Sequence, residues 1–285
     1  MIYRIEEIFL DFFVLFQPMP FYRSLEALGI PGPERFHLDF EGPAMRAVSQ
    51  VYPDAKLVGC DAHFKRAIRR NLQKHKLLEI MNTNLDLQNW HRRLWALSLI
   101  PEEDIISVWE EELVATIPFQ EDRGEDETDD SEFENEDESF NHRLSNFFTY
   151  FEHTWIGYKH PRTGMRKSPK FAHSIFNKFN ALINDEDTTT NRSESLNNQM
   201  KLNLPRQANV WAIIRHLKEE EGLAMKKLQE ASLGIAPHQT DNSSRVVNRK
   251  NRRNQLKNLL LQYGSHSKSQ FIELLVDFYN NNGLD

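Results

Sequence analysis

Two short stretches of this chain carry residues that can do chemistry. The first, Phe36-His37-Leu38-Asp39-Phe40-Glu41, ends an apolar run on acidic side chains. The second, Gly59-Cys60-Asp61-Ala62-His63-Phe64, ends another apolar run on Cys-x-x-His. A carboxylate offers a hard oxygen ligand, whereas a thiol and an imidazole three residues apart offer the softer pair that zinc takes. Cys60 and His63 alone are too few for a structural zinc site, which needs four ligands, and the chain has no second cysteine. His91, His142, His153 and His173 are the remaining candidates, none with a supporting ligand nearby in sequence.

These residues need a frame, and the pattern supplies one. Arg35 to Phe40 reads as a strand. Gly42-Pro43 then opens a helix with Ala44, Ala47, Val48 and Val51 on one side, closed at Pro53. Lys56 to Gly59 reads as a second strand, and a helix follows through Phe64, Ala67, Ile68 and Leu72. Strand, helix, strand, helix is the order of a parallel sheet, whose carboxyl edge is where ligands usually sit. Asp39 is therefore expected at the carboxyl end of a strand parallel to the Lys56–Gly59 strand. The second helix carries Lys65, Arg66, Arg69, Arg70 and Lys74 on its other face.

Beyond this point the pattern is helical to about Leu113, with Trp90, Leu94, Trp95, Leu97 and Leu99 as bulk, and Pro101-Glu102-Glu103-Asp104 starts a further helix. The aromatic run Phe147 to Trp155 has the spacing of a helix core, the alternative being stacking on bases. A basic loop, Lys159 to Lys170, precedes a helix from about Phe171 to Ile183. Asn191-x-x-Glu194 has the form of a capping box. A helix with Trp211, Ile214 and Leu217, a basic run from Arg249 to Arg253 and a helix from Phe271 to Tyr279 complete the chain. The basic run reads as a nuclear-import signal, a phosphate contact or a solvated tail. The N-terminal residues Ile5, Ile8, Phe9, Phe12, Phe13 and Phe16 fit a helix or a buried strand.

The net charge of −7 hides a segregated distribution. Residues 121–138 hold twelve acids and one arginine, which leaves 34 basic and 30 acidic residues, about +4, for the rest. That body tolerates a polyanionic partner, and the acidic run reads as a disordered surface insertion able to repel or mimic one. A single cysteine excludes an intrachain disulfide and suits a reducing compartment. The run Ile8 to Phe16 is too short for a membrane span and is interrupted by Asp11, so neither a signal peptide nor a membrane partner is expected.

Taken in order, these pieces resemble the transposase domain of Mutator-like elements, a DDE-type recombinase group. The match runs roughly from Phe13 to Met225. It includes Asp39-Phe40-Glu41, Gly59-Cys60-x-x-His63-Phe64, Leu97 to Asp104, Tyr150-Phe151-Glu152-x-Thr154-Trp155-Ile156-Gly157 and Thr190-Asn191-Arg192-Ser193-Glu194-Ser195-Leu196-Asn197. The resemblance implies an α/β, ribonuclease-H-like core with an incomplete sheet, a large mainly α-helical insertion and a helix-rich whole. The implied division is a partial core over 1–75, a helical insertion over 76–185 with a disordered acidic loop at 120–140, core helices over 186–230, and a basic tail with a terminal helix over 231–285.

In the family, three carboxylates hold two divalent metals for phosphoryl transfer on DNA. The resemblance assigns the second aspartate to Asp39 and the glutamate to Glu194, with magnesium or manganese as the metal if the protein is active. A role near the same site is implied for Cys60 and His63, and DNA contacts for Lys65, Arg66, Arg69 and Arg70. The first aspartate has no match, since Asp11 is the only aspartate before Asp39 and lacks the family setting. The expectation is thus a degenerate or fragmentary, inactive DDE-type transposase with no metal bound as it stands. Its partner is DNA, bound weakly and in a salt-sensitive way, its location nuclear or otherwise cytoplasmic, and it self-associates through an exposed sheet edge. The alternatives are a domesticated nucleic-acid- or protein-binding remnant, and an active transposase seen through an incomplete gene model.

Overall fold

The computed structural model describes residues 33–118, 139–189, 209–234 and 244–282, with a few single positions between 198 and 207. The N-terminal apolar run, the acidic segment and Glu194 lie outside the described residues. In chain order the main elements are β1 (Arg35–Leu38), α1 (Gly42–Val51), β2 (Lys56–Gly59), α2 (Asp61–Lys74), α3 (Leu78–Thr83) and α4 (Leu85–Ala96). Then come α5 (Ile105–Val108), running into a wide turn at Trp109–Val114, and α6 (Phe140–Phe151), running into another at Glu152–Ile156. The rest are α7 (His173–Phe176), α8 (Phe179–Ile183), α9 (Val210–Ser232), α10 (Ser244–Leu260) and α11 (Lys268–Asn282). The protein is helix-rich, with a small parallel sheet. Among the described residues no helix is long and apolar enough to cross a membrane.

One compact unit comprises residues 1–60 and 188–254. Its β1 and β2 pair in parallel with Arg35 opposite Lys56 and Leu38 opposite Gly59. Phe36 and Leu38 alternate inward from β1, as a strand with one buried face requires. The connection is α1, which has proline in its first turn and buries Ala44, Met45, Ala47 and Val48. The expected strand-helix-strand order is present, and among the described residues the sheet has two strands.

The other unit comprises residues 61–187 and 255–285 and is built on aromatic packing. Phe64 of α2 stacks on Phe176 at 5.0 Å and meets Trp155 edge-on at 4.9 Å. Trp109 stacks on Phe148 and Phe151 at 4.7 and 5.1 Å. Its indole N–H donates to Glu152, and that of Trp90 to the Leu113 carbonyl, so these buried rings keep their polar edge satisfied. The aromatic run is therefore core, with Phe147, Phe151 and Trp155 buried. The terminal helix also belongs here: α11 buries Phe271, Ile272, Leu275, Val276 and Tyr279. Arg93 pairs with Glu273 at 2.6 Å, and Lys268 and Tyr263 both reach Asp104, at 2.6 and 2.8 Å. The units meet at 60/61, 187/188 and 254/255, and the apolar faces of α2 and α11 pack within the second unit.

The basic loop is a small hairpin with a Lys159–Arg166 bridge. Gly157 starts it at φ 90°, where a Cβ would lie 2.3 Å from the Lys167 carbonyl oxygen, so only glycine fits. Glu110 receives Lys159 at 2.7 Å and also Arg166. Those two cations are thus engaged within the protein, and they hold the Glu110 carboxyl below its ordinary value, Lys159 most strongly.

Candidate metal centre at the strand ends

The two strand ends fix where the chemistry-bearing residues stand. One step past the last register pair, Leu38 opposite Gly59, the Cys60 N–H donates to the Leu38 carbonyl at 2.9 Å. That bond extends the ladder and sets Asp39 beside Cys60. The Asp39 carbonyl then accepts from Glu41 N–H at 2.7 Å, a tight turn that leads the backbone off into α1. Phe40 folds back over Gly59, and a Cβ there would lie 2.3 Å from the ring. His63 follows in the first turn of α2, three residues along the unbroken chain from Cys60.

The result is a cluster: one ligand atom each from Asp39, Cys60 and His63, all within 4.8 Å of one another. It belongs to the continuous strand-to-helix turn after β2 and its neighbouring strand end. Cys60 is fully buried, and the other two are half-buried. Donors around a tetrahedral zinc stand about 3.3–3.6 Å apart, so the three need only a small contraction to share an ion. Thiolate, imidazole and carboxylate suit a borderline ion such as zinc. They do not suit magnesium, which takes oxygen ligands only. Arg66 Nη1 lies 3.3 Å from His63 Nε2. A guanidinium can only donate, so it occupies that nitrogen's lone pair and competes with any metal there.

The histidines expected as further ligands of Cys60 and His63 stand elsewhere. His91 stacks on Trp95 at 4.4 Å, His153 on Tyr158 at 4.0 Å, and His173 Nε2 lies 3.1 Å from the Ile156 carbonyl. Burial, with Arg92 and Arg69 nearby, pushes His91 down to about 3, so it is neutral at ordinary pH. His142 lies in the first turn of α6, its N–H donating to the Ser139 cap. Asp39, expected to work with Glu194, stands beside Cys60 and His63, and Glu194 lies outside the described residues. The overlooked signal was the parallel register, which makes the residues following two paired strands neighbours whatever their sequence distance.

The residues expected to touch DNA divide as well. Lys65 reaches back to Asp61 at 2.8 Å and lies over the rings of Trp95 and Tyr279, at 5.8 and 5.1 Å. Burial works against its charge, yet Asp61 and Tyr279 outweigh that and hold it above the ordinary lysine value. It is a structural cation. Arg66, Arg69, Arg70 and Lys74 are exposed along α2 and form a basic stripe facing solvent. Comparison with known proteins adds nothing to this: no family model, no curated protein and no solved structure matches the chain.

Proposed function

We propose that this chain is a relative of the DDE-type transposases of Mutator-like elements that retains DNA binding and does not cut DNA. The supporting observation is the parallel β1–α1–β2 unit with Asp39 at the carboxyl end of β1 and Cys60-x-x-His63 at that of β2, the order of the family motifs. The exposed Arg66, Arg69 and Arg70 of α2 are then the phosphate contacts, each displacing a counterion. Lack of cleavage follows from the donor set. Two-metal phosphoryl transfer needs several hard carboxylate ligands, and Asp39 instead has a thiol and an imidazole beside it. No step through magnesium is supported by these residues.

The test uses purified full-length protein. Supercoiled plasmid incubated with it and magnesium or manganese should stay intact, while a labelled duplex binds and is released as salt rises. Metal-dependent nicking that disappears in Asp39→Asn and Glu194→Gln would show an active enzyme. Absence of duplex binding at low salt would remove the DNA-binding part.

A further inference from the structure

The 17-residue helix α10, Ser244–Leu260, holds six basic residues and not one acid, in a chain whose acids outnumber its bases 42 to 35. The contrast with α9 shows that exposure alone does not produce this. That helix is 23 residues long and balances four basic residues with four glutamates, some in pairs such as Lys226–Glu230. Along α10, Arg249, Lys250, Arg252, Arg253 and Lys257 fall within an arc of about 160° at 100° per residue. The remaining polar positions include Asn248, Asn251, Asn254, Gln255 and Asn258, on an arc of about 120°.

Asparagine is a weak helix former, and basic residues at i, i+3 and i+4 repel one another, so neither choice serves the helix itself. Some of this charge is used internally. Lys257 pairs with Asp185, and Arg252 and Arg253 are half-buried with partners of their own. The first two turns differ: Arg249 and Lys250 are exposed, with no ion pair among the described residues. Leu260 is 1% exposed, so the helix is anchored at one end and solvent-facing at the other.

We infer that α10 is a DNA-docking helix whose basic arc lies against the phosphates of a duplex, Arg249 and Lys250 making the leading contacts. A helix about 25 Å long reaches across several phosphates, and a major groove about 12 Å wide admits a helix of this kind. A polyanion relieves the repulsion that the sequence builds into the helix. This inference rests on the reading of DNA as the partner, and it names residues other than those of α2.

The experiment is duplex binding by the full chain, followed by fluorescence anisotropy over a range of salt. Arg249→Gln with Lys250→Gln should raise Kd about tenfold near 0.1 M salt and lower the log–log salt slope by about 1.8, two phosphate contacts' worth. Lys218→Gln with Lys226→Gln removes the same charge from exposed positions on α9 and should leave the slope unchanged. Circular dichroism confirms that both variants fold. Equal losses in both variants would mean net charge alone, and would overturn the assignment. So would wild-type binding by the α10 variant, or a loss confined to single-stranded RNA. An intact chain that binds no duplex at all would overturn both this inference and the DNA-binding proposal, whereas binding untouched by the α10 variant overturns the helix alone.

Discussion

Donor chemistry at Asp39, Cys60 and His63 decides which ion the strand ends accept, and that choice is measurable. Cobalt(II), a spectroscopic stand-in for zinc, should bind with a near-ultraviolet thiolate band that is lost in Cys60→Ser and weakened in Asp39→Asn. Excess magnesium, which takes oxygen ligands, should not displace it. An unchanged spectrum in Cys60→Ser would exclude the thiol as a ligand. His91 gives a second test at this scale. Its folded value of about 3 lies below the ordinary 6.5, so the unfolded chain binds the extra proton between them. Stability should therefore fall as pH drops below about 6.5, by about 2 kcal/mol between pH 7 and pH 5 for this residue. Urea midpoints at the two pH values should show the loss, and His91→Gln should remove it. The residue types at the strand ends were legible in sequence. Their grouping was not, because 21 residues separate Asp39 from Cys60 and only strand pairing brings them together.

Among the elements, the strand-helix-strand unit was readable because alternation in β1, Pro43 at the start of α1 and Pro53 after it all agree. Gly59 tests its packing: Gly59→Ala must displace the Phe40 ring and should cost about 1–3 kcal/mol in chemical denaturation. A cost near zero would mean that the ring moves aside freely. The segment expected as one helix from Phe171 to Ile183 is instead α7 and α8, broken at Asn177 and Lys178. Asn177 Nδ2 donates to the Ile100 carbonyl at 2.7 Å and Lys178 N–H to the Ser98 carbonyl at 2.7 Å. These partners are almost eighty residues away, so local periodicity could not announce them. The same holds for α11, whose apolar face was legible and whose docking was not. Lys268 and Tyr263 hold the Asp104 carboxyl below its ordinary value, against burial. Stability from this contact is present above the unfolded carboxylate's value near 3.9 and is lost as pH falls through the lower folded one. Asp104→Asn should cost about 1 kcal/mol at neutral pH and little in strong acid. A cost that stays constant with pH would separate the effect from ionisation.

Over the whole molecule the segregation of charge governs the proposed partner. Residues 121–138 carry twelve of the 42 acids, and exposed cations outside them include Arg66, Arg69, Arg70 and Lys74 on α2 and Arg249 and Lys250 in the first turns of α10. A tethered anionic segment competes with DNA for basic surface, so deleting 121–138 should strengthen duplex binding several-fold at low salt and less at high salt. Equal affinity with and without the segment would show that it plays no such part. The composition made this charge separation visible from the start, whereas the internal use of Lys65, Lys159 and Arg166 emerges only from packing. The proposed DNA binding runs through phosphates, and it is measured most directly by the affinity of the full chain for a labelled duplex as sodium chloride is raised. Binding should weaken linearly on a log–log plot, with a slope of about −3.6 to −4.5 for four or five phosphate contacts. Binding that does not vary with salt, or none at the lowest salt, would contradict it.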